Sequence, residues 1–326
     1  MMEFLDLTVM NTPVWMWGAF LGCVMLLLAF DLGILHRTDK EITVKQSLRL
    51  SLFYICIGLI FGIFVWLQLG QQAAEEYYTG FIIEKSLSMD NIFVISLVFS
   101  YFAIPRQYQY RVLFWGIIGV LILRALLIGV GAELVHRFEW TLYLFAAFLV
   151  FTGIKMLFGT DEEHDISSNP VIRFVKKYMR VTNDLHGNKF FVRQIDANTG
   201  KRSSFATPLF MALVVVEFVD LIFAIDSVPA IFAVTTDEYI IYTSNIFAIL
   251  GLRALYFALS AMLHRFEYLK YSLSAVLIFI GGKVIVPGLF GFEKVPSSIS
   301  LSVTIGLLAV GVIYSLHRTK KDAVVK

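Results

Sequence analysis

Apolar runs of about 18–25 residues recur nine times along the chain, near 14–35, 48–68, 79–102, 112–132, 140–158, 208–234, 241–263, 269–287 and 299–316. About 20 apolar residues are enough for an α-helix to cross the hydrocarbon core of a bilayer. The pattern therefore predicts an all-α, polytopic membrane bundle of about nine transmembrane helices. One long stretch, 159–207, breaks the rhythm. Its start, DEEHDISSN, is polar. Asn169 and Pro170 then suit the N-cap and first position of a helix over PVIRFVKKYMR. There Val171, Phe174, Val175 and Tyr178 share a face, with Arg173, Lys176, Lys177 and Arg180 mostly off it. That suits a helix lying on anionic headgroups, or equally an ordinary solvated one. KFFVRQIDANTGKRSSF reads as a hairpin turned at Asn198-Thr199-Gly200. The chain thus divides into spans one to five (1–158), a cytoplasmic loop (159–207) and spans six to nine (208–326).

Two of the spans are not purely apolar. Val214 to Val234 carries Glu217, Asp220 and Asp226, and Thr79 to Phe102 carries Glu84, Lys85, Asp90 and Asn91. A carboxylate at bilayer depth costs roughly 2.5–3.5 kcal/mol on insertion scales, so such residues must face a partner or a ligand rather than lipid. Arg124 and Arg253 also lie at depth and are expected as counter-charges. Lys155 and Lys283, near span ends, are expected to snorkel. Asp31 stands near the inner end of span one, either in the site or at the interface.

Composition and charge add class and orientation. Of 326 residues, 58% are hydrophobic and 16% charged, and the mean hydropathy is +0.76, outside the range of soluble domains. The net charge of +2 gives no footprint for nucleic acid. The two cysteines, Cys23 and Cys56, lie in apolar runs without metal-binding spacing and read as packing residues. No basic residue precedes the first apolar run, so the first span is expected to stay in the mature protein. With the N-terminus outside, the inner segments hold 20 Lys and Arg, against Arg137 and Lys294 outside. That asymmetry predicts an inner (cytoplasmic) membrane protein with its C-terminus in the cytoplasm.

An internal repeat organises the spans. Glu84 to Asp90, LILR ending at Arg124, His136-Arg137-Phe138-Glu139 and Lys155 recur as Asp220 to Asp226, LGLR ending at Arg253, His264-Arg265-Phe266-Glu267 and Lys283. The copies, about 79–158 and 208–287, are three crossings apart and hence inverted. Inverted repeats bury a midplane site at their interface in many secondary transporters.

The candidate metal-binding residues are Glu84, Asp90, Asn91, Glu217, Asp220 and Asp226. Glu217 and Asp220 share a helix face, as do Glu84 and Asn91. Pro229 cannot donate to the carbonyl of Ile225, so a broken span six would add a backbone oxygen beside Asp226. Five carboxylates against Lys85, Arg124 and Arg253 leave two negative charges, which suits a divalent cation. All these donors are hard oxygens, favouring Mn2+, Mg2+ or Ca2+ over Zn2+ or Cu+. There is no GxSxG, HExxH, P-loop or dinucleotide fingerprint, so no enzyme is expected, nor ATP-driven transport on this chain.

IEKSLSMDNIFV (83–94), VEFVDLIFAIDSVPAIFAVTTD (216–237), TSNIFAILGLRALYF (243–257) and FFVR (190–193) resemble the TerC family, nearest its Alx-like branch. The resemblance implies an integral membrane protein of the LysE-like transporter superfamily, tied by name to tellurite resistance and associated with Mn2+ export and metal homeostasis. It also implies that Glu84, Asp90, Glu217, Asp220 and Asp226 are the functional acids. The expected partners are the lipid bilayer and a divalent metal ion, with Mn2+ as transported ion, no permanently bound cofactor and no nucleic acid. The alternative is a membrane scaffold whose inner loop docks soluble resistance or secretion partners.

Overall fold

The computed structural model describes residues 8–10, 12–35, 43–158, 179–182, 184–195, 202–260, 268–290 and 295–325, without the side chains of 31–35, 90, 93, 226 and 319–325. A two-residue strand pair, β1 (Thr8–Val9) and β2 (Thr12–Pro13), leads into α1 (Val14–Leu35). Then follow α2 (Val44–Leu69), α3 (Gln71–Tyr101), α4 (Arg106–Arg137) and α5 (Trp140–Phe158). Strands β3 (Phe191–Ile195) and β4 (Arg202–Ala206) pair antiparallel. The last elements are α6 (Pro208–Phe232), α7 (Glu238–Leu250), α8 (Leu252–Leu259), α9 (Leu269–Phe290) and α10 (Ser297–Val325). This is an all-α polytopic membrane bundle. Among the described residues, seven helical segments are long and apolar enough to cross a membrane, counting α7 and α8 as one. The expected helix at 170–180 and the hairpin turn at 198–200 lie outside the described residues, apart from Met179 and Arg180.

Local chemistry sets the helix ends. Thr43 and Gln46 form a reciprocal capping box at the start of α2. Gly70, at φ 89°, supplies the turn into α3 that a residue with a Cβ would resist. Pro208 opens α6 at its first turn, where a missing N–H costs nothing. Helix α3 begins at Gln71, earlier than its apolar run, because Gln71 bonds Glu75 (2.8 Å) and Gln72 bonds Glu76 (3.0 Å) one turn on.

The anticipated break in span six is not there. Pro229 lies inside a continuous α6, but so close to its C-terminal end that less than one turn of helix follows it. The break falls in span seven, at Gly251, between α7 and α8.

Helix α3 lies against α7 as α6 lies against α4, and α3 meets α6 directly. The tightest seam joins α5 to α9. Small residues at matching places make it so: Ala146 and Gly153 on α5 face Ser274 and Gly281 on α9. A Cβ on Gly281 would collide with the Ala146 carbonyl, and one on Gly153 with Ile278 and the Ser274 carbonyl. Ser274 Oγ donates to Gly153 O across this seam. Close approach of small residues is the usual way helices associate where lipid removes the hydrophobic driving force.

Large apolar side chains stay exposed on the outer helices, among them Leu26, Leu67, Phe158 and Val310, as a lipid-facing belt requires. Nearly every residue of α7 and α8 is buried instead. Span seven is the central pillar, and the polar side chains cluster against it.

Candidate functional site

The site grows from consecutive turns of α3. Glu84 projects onto α4, where Arg124 Nη1 donates to its Oε1 at 2.5 Å. The other oxygen, Oε2, accepts from Asn245 Nδ2 of α7 at 3.1 Å. The same Nη1 of Arg124 also donates to Ser227 Oγ of α6 at 2.8 Å and lies 3.4 Å from Asn245 Oδ1. Arg124 Nε faces Asp220 Oδ2 at 3.5 Å. Two turns below Glu84, Asn91 Nδ2 donates to Asp220 Oδ1 at 3.2 Å and ties α3 to α6. Glu84, Asn91, Arg124, Asp220, Ser227 and Asn245 are all at most 4% exposed.

One guanidinium therefore serves two carboxylates, one from each repeat. Two charges removed from water persist only when paired and hydrogen-bonded, and Arg124 achieves this with its planar fork. The network still leaves oxygens over. Among the described residues the buried Asn91 Oδ1 accepts no hydrogen bond, and the buried Asp220 Oδ2 has only its long 3.5 Å contact with Arg124 Nε, although the two residues touch across the α3–α6 interface. An unmade hydrogen bond at such a place is costly, and hard oxygens are what a hard cation would satisfy.

Glu217 is placed apart from this network. It shares a face with Asp220 but lies against Gly119 of α4, where a Cβ would fall on its carboxylate. Its Oε2 is buried and accepts no hydrogen bond among the described residues. Lys85 pairs with no carboxylate among the described residues: its ammonium donates to Ala248 O of α7 at 2.8 Å. Arg253 of α8 stacks on Tyr110 of α4, 4.3 Å from ring centroid to guanidinium carbon. Lys283 does not snorkel but donates to Ser300 Oγ of α10 at 3.1 Å, because α10 packs alongside it. Lys155 is exposed on α5. The backbones of Asp90 and Asp226 lie within α3 and α6, next to Asn91 and Ser227; their side chains, and that of Asp31, are outside the description. Among the described residues no three His, Cys, Asp or Glu side chains gather as a metal cluster.

Two members of the network, Ser227 and Asn245, were not among the expected site residues. Ser227 had a usable signal, since it follows Asp226 as Asn91 follows Asp90. Asn245 is an amide midway along an apolar span, a position that costs free energy unless the amide is bonded.

Residues 69–323 match the family described as Integral membrane protein TerC family. The chain belongs to the TerC family. It is 48% identical to an uncharacterized membrane protein of Rickettsia bellii over 93% of this chain and 97% of that protein. It is 41% identical to proteins named putative membrane-bound redox modulator Alx from Salmonella typhi and Escherichia coli, over 92% of this chain and 93% of each. No solved structure matches the chain significantly. As a TerC family member it is an integral membrane protein, and its relatives named here are bacterial.

Proposed function

We propose that the protein exports a hard divalent cation, with Mn2+ as its principal substrate, through the polar cluster where the two repeats meet. The observation that carries this reading is a pair of buried oxygens at the α3–α6 interface: Asn91 Oδ1, with no hydrogen bond among the described residues, and Asp220 Oδ2, held only by its 3.5 Å contact with Arg124 Nε. Asp90 precedes Asn91 directly and Asp226 follows Asp220 by six residues, so the sequence offers further hard oxygens close by in the chain. Arg124 holds Glu84 and Asp220 in place and keeps the cluster from carrying their full charge. Lysine and arginine asymmetry sets the orientation, with the N-terminus outside and the C-terminus in the cytoplasm of an inner membrane. The chain acts as a transporter rather than an enzyme, and the metal is cargo, not a resident cofactor.

The name of the Alx relatives suggests a redox role. The only thiols are Cys23 on α1 and Cys56 on α2, both free, while the polar groups at depth handle charge rather than electrons. Transport of a metal that tunes redox chemistry elsewhere reconciles the two descriptions. The test is the intracellular content of several metals in cells with and without the protein. Manganese alone should fall with the wild type and not with Asp90→Asn, Asp220→Asn or Asp226→Asn at equal membrane abundance. Unchanged manganese in the wild type would leave the scaffold reading in the lead.

A further inference from the structure

We propose that the broken end of α7 is a monovalent-cation site, and that in this chain its occupant is the protein's own Lys85 ammonium. Three observations converge. First, α7 stops at Gly251, whose N–H turns back to Ile249 O, so the last carbonyls of α7 point out of the regular ladder. Second, Lys85 Nζ sits on one of them, Ala248 O, at 2.8 Å. A cation at a helix C-terminus also meets the negative end of the helix dipole. Third, the place is shaped for that head group. A Cβ on Gly251 would come within 2.8 Å of Nζ and 3.0 Å of Tyr54 Cβ, so only glycine leaves the ammonium its room.

The other repeat supplies the contrast. Gly119, five residues before Arg124, matches Ala248, five residues before Arg253. Helix α4 runs unbroken there, and what lies against Gly119 is the Glu217 carboxylate. The cation follows the break. Half-helix C-terminal ends and unwound carbonyls are where membrane transporters hold Na+. A lysine head group carries the same charge on a tether. The inference deepens the transport reading and rests on it for one consequence: export needs no dissolved monovalent cation at this end of α7.

The test removes the tether and offers the cation back. Full-length wild type, Lys85→Ala and Lys85→Ser are purified in detergent and melted in choline, sodium and methylammonium chloride at equal ionic strength. Sodium or methylammonium should raise the Tm of the variants by about 3 °C or more over choline and leave the wild type unmoved. A variant recovered folded only in one of those two salts counts the same way. Variants that melt, or fail to fold, identically in all three salts would overturn the proposal, as would a wild type that responds as they do. In proteoliposomes, manganese uptake by Lys85→Ala should need sodium or methylammonium where the wild type does not. The melting comparison contains no manganese, so it decides on Lys85 even if the wild type transports none.

Discussion

Arg124 and Arg253 stand at matching points of the two repeats, each in an L-x-L-R-A-L setting, and the helices that carry them are built differently. Arg124 sits in an unbroken helix and binds carboxylates from both halves. Arg253 follows the break at Gly251 and stacks on Tyr110. The difference extends to the clefts beside them, where Lys85 lies against α7 and Glu217 against α4. The two stretches share a sequence pattern, yet α4 runs unbroken through its copy while the other copy is interrupted at Gly251.

The largest test of that contrast is Arg124→Gln. It leaves Glu84 and Asp220 buried without their cation, a loss on the order of 3–5 kcal/mol. Membrane abundance and detergent Tm should collapse, whereas Glu217→Gln, which removes a carboxylate set apart from that network, should lower them much less. Comparable losses for both would erase the distinction. Next in size is the Glu217 cleft. Gly119→Ala should cut manganese export about tenfold by displacing the carboxylate, which is about 1.4 kcal/mol in the barrier. Gly116→Ala, whose new Cβ would lie 3.7 Å from Glu217 Oε1, should be tolerated. Equal rates for the two variants would remove Glu217 from the mechanism. Third, Gly251→Ala should lower detergent Tm through the crowding of Lys85 and Tyr54, costing about 1–3 kcal/mol.

Much of this fold is written in the hydrophobic pattern, and its exceptions are instructive. Nine apolar runs coincide with the helical spans because a bilayer enforces both length and internal hydrogen bonding. The start of α3 escapes that logic, since Gln71 to Tyr78 is polar and aromatic yet helical. Proline drew attention to span six, but a proline near a helix end breaks little, and glycine in span seven made the break. Nothing local marks Gly251. Lys85 is 163 residues from Ala248, whose carbonyl it meets beside Gly251, so only the fold brings them together. The same holds for Asn245, which reaches Glu84 across 161 residues. The pairing of Lys85 with a carbonyl was likewise hidden, because charge counting assumes that cations seek carboxylates.

The smallest expected effect lies at the end of the central pillar. Asp237 caps α7 by accepting from Ile240 N at 3.1 Å, and burial, more than the nearby Glu76, pushes its carboxyl above the ordinary value of 3.8. A raised folded-state pKa means stability that is full below that value and is lost as pH climbs through the folded one. Asp237→Asn keeps a good cap and removes the charge. It should raise Tm slightly at neutral pH, and the gain should vanish at pH 3. A gain that persisted at pH 3 would detach the effect from ionisation.

The central claim is that oxygens at the α3–α6 interface bind the transported metal. Electron paramagnetic resonance of Mn2+ titrated into the purified full-length protein addresses it most directly, since bound and free ion give different signals. The wild type should remove free Mn2+ from the spectrum. Asp220→Asn and Asn91→Ala should weaken binding at least about tenfold, or about 1.4 kcal/mol. If both variants, folded and monodisperse, bind Mn2+ as the wild type does, the metal is held elsewhere and the interface is only a seam between helices.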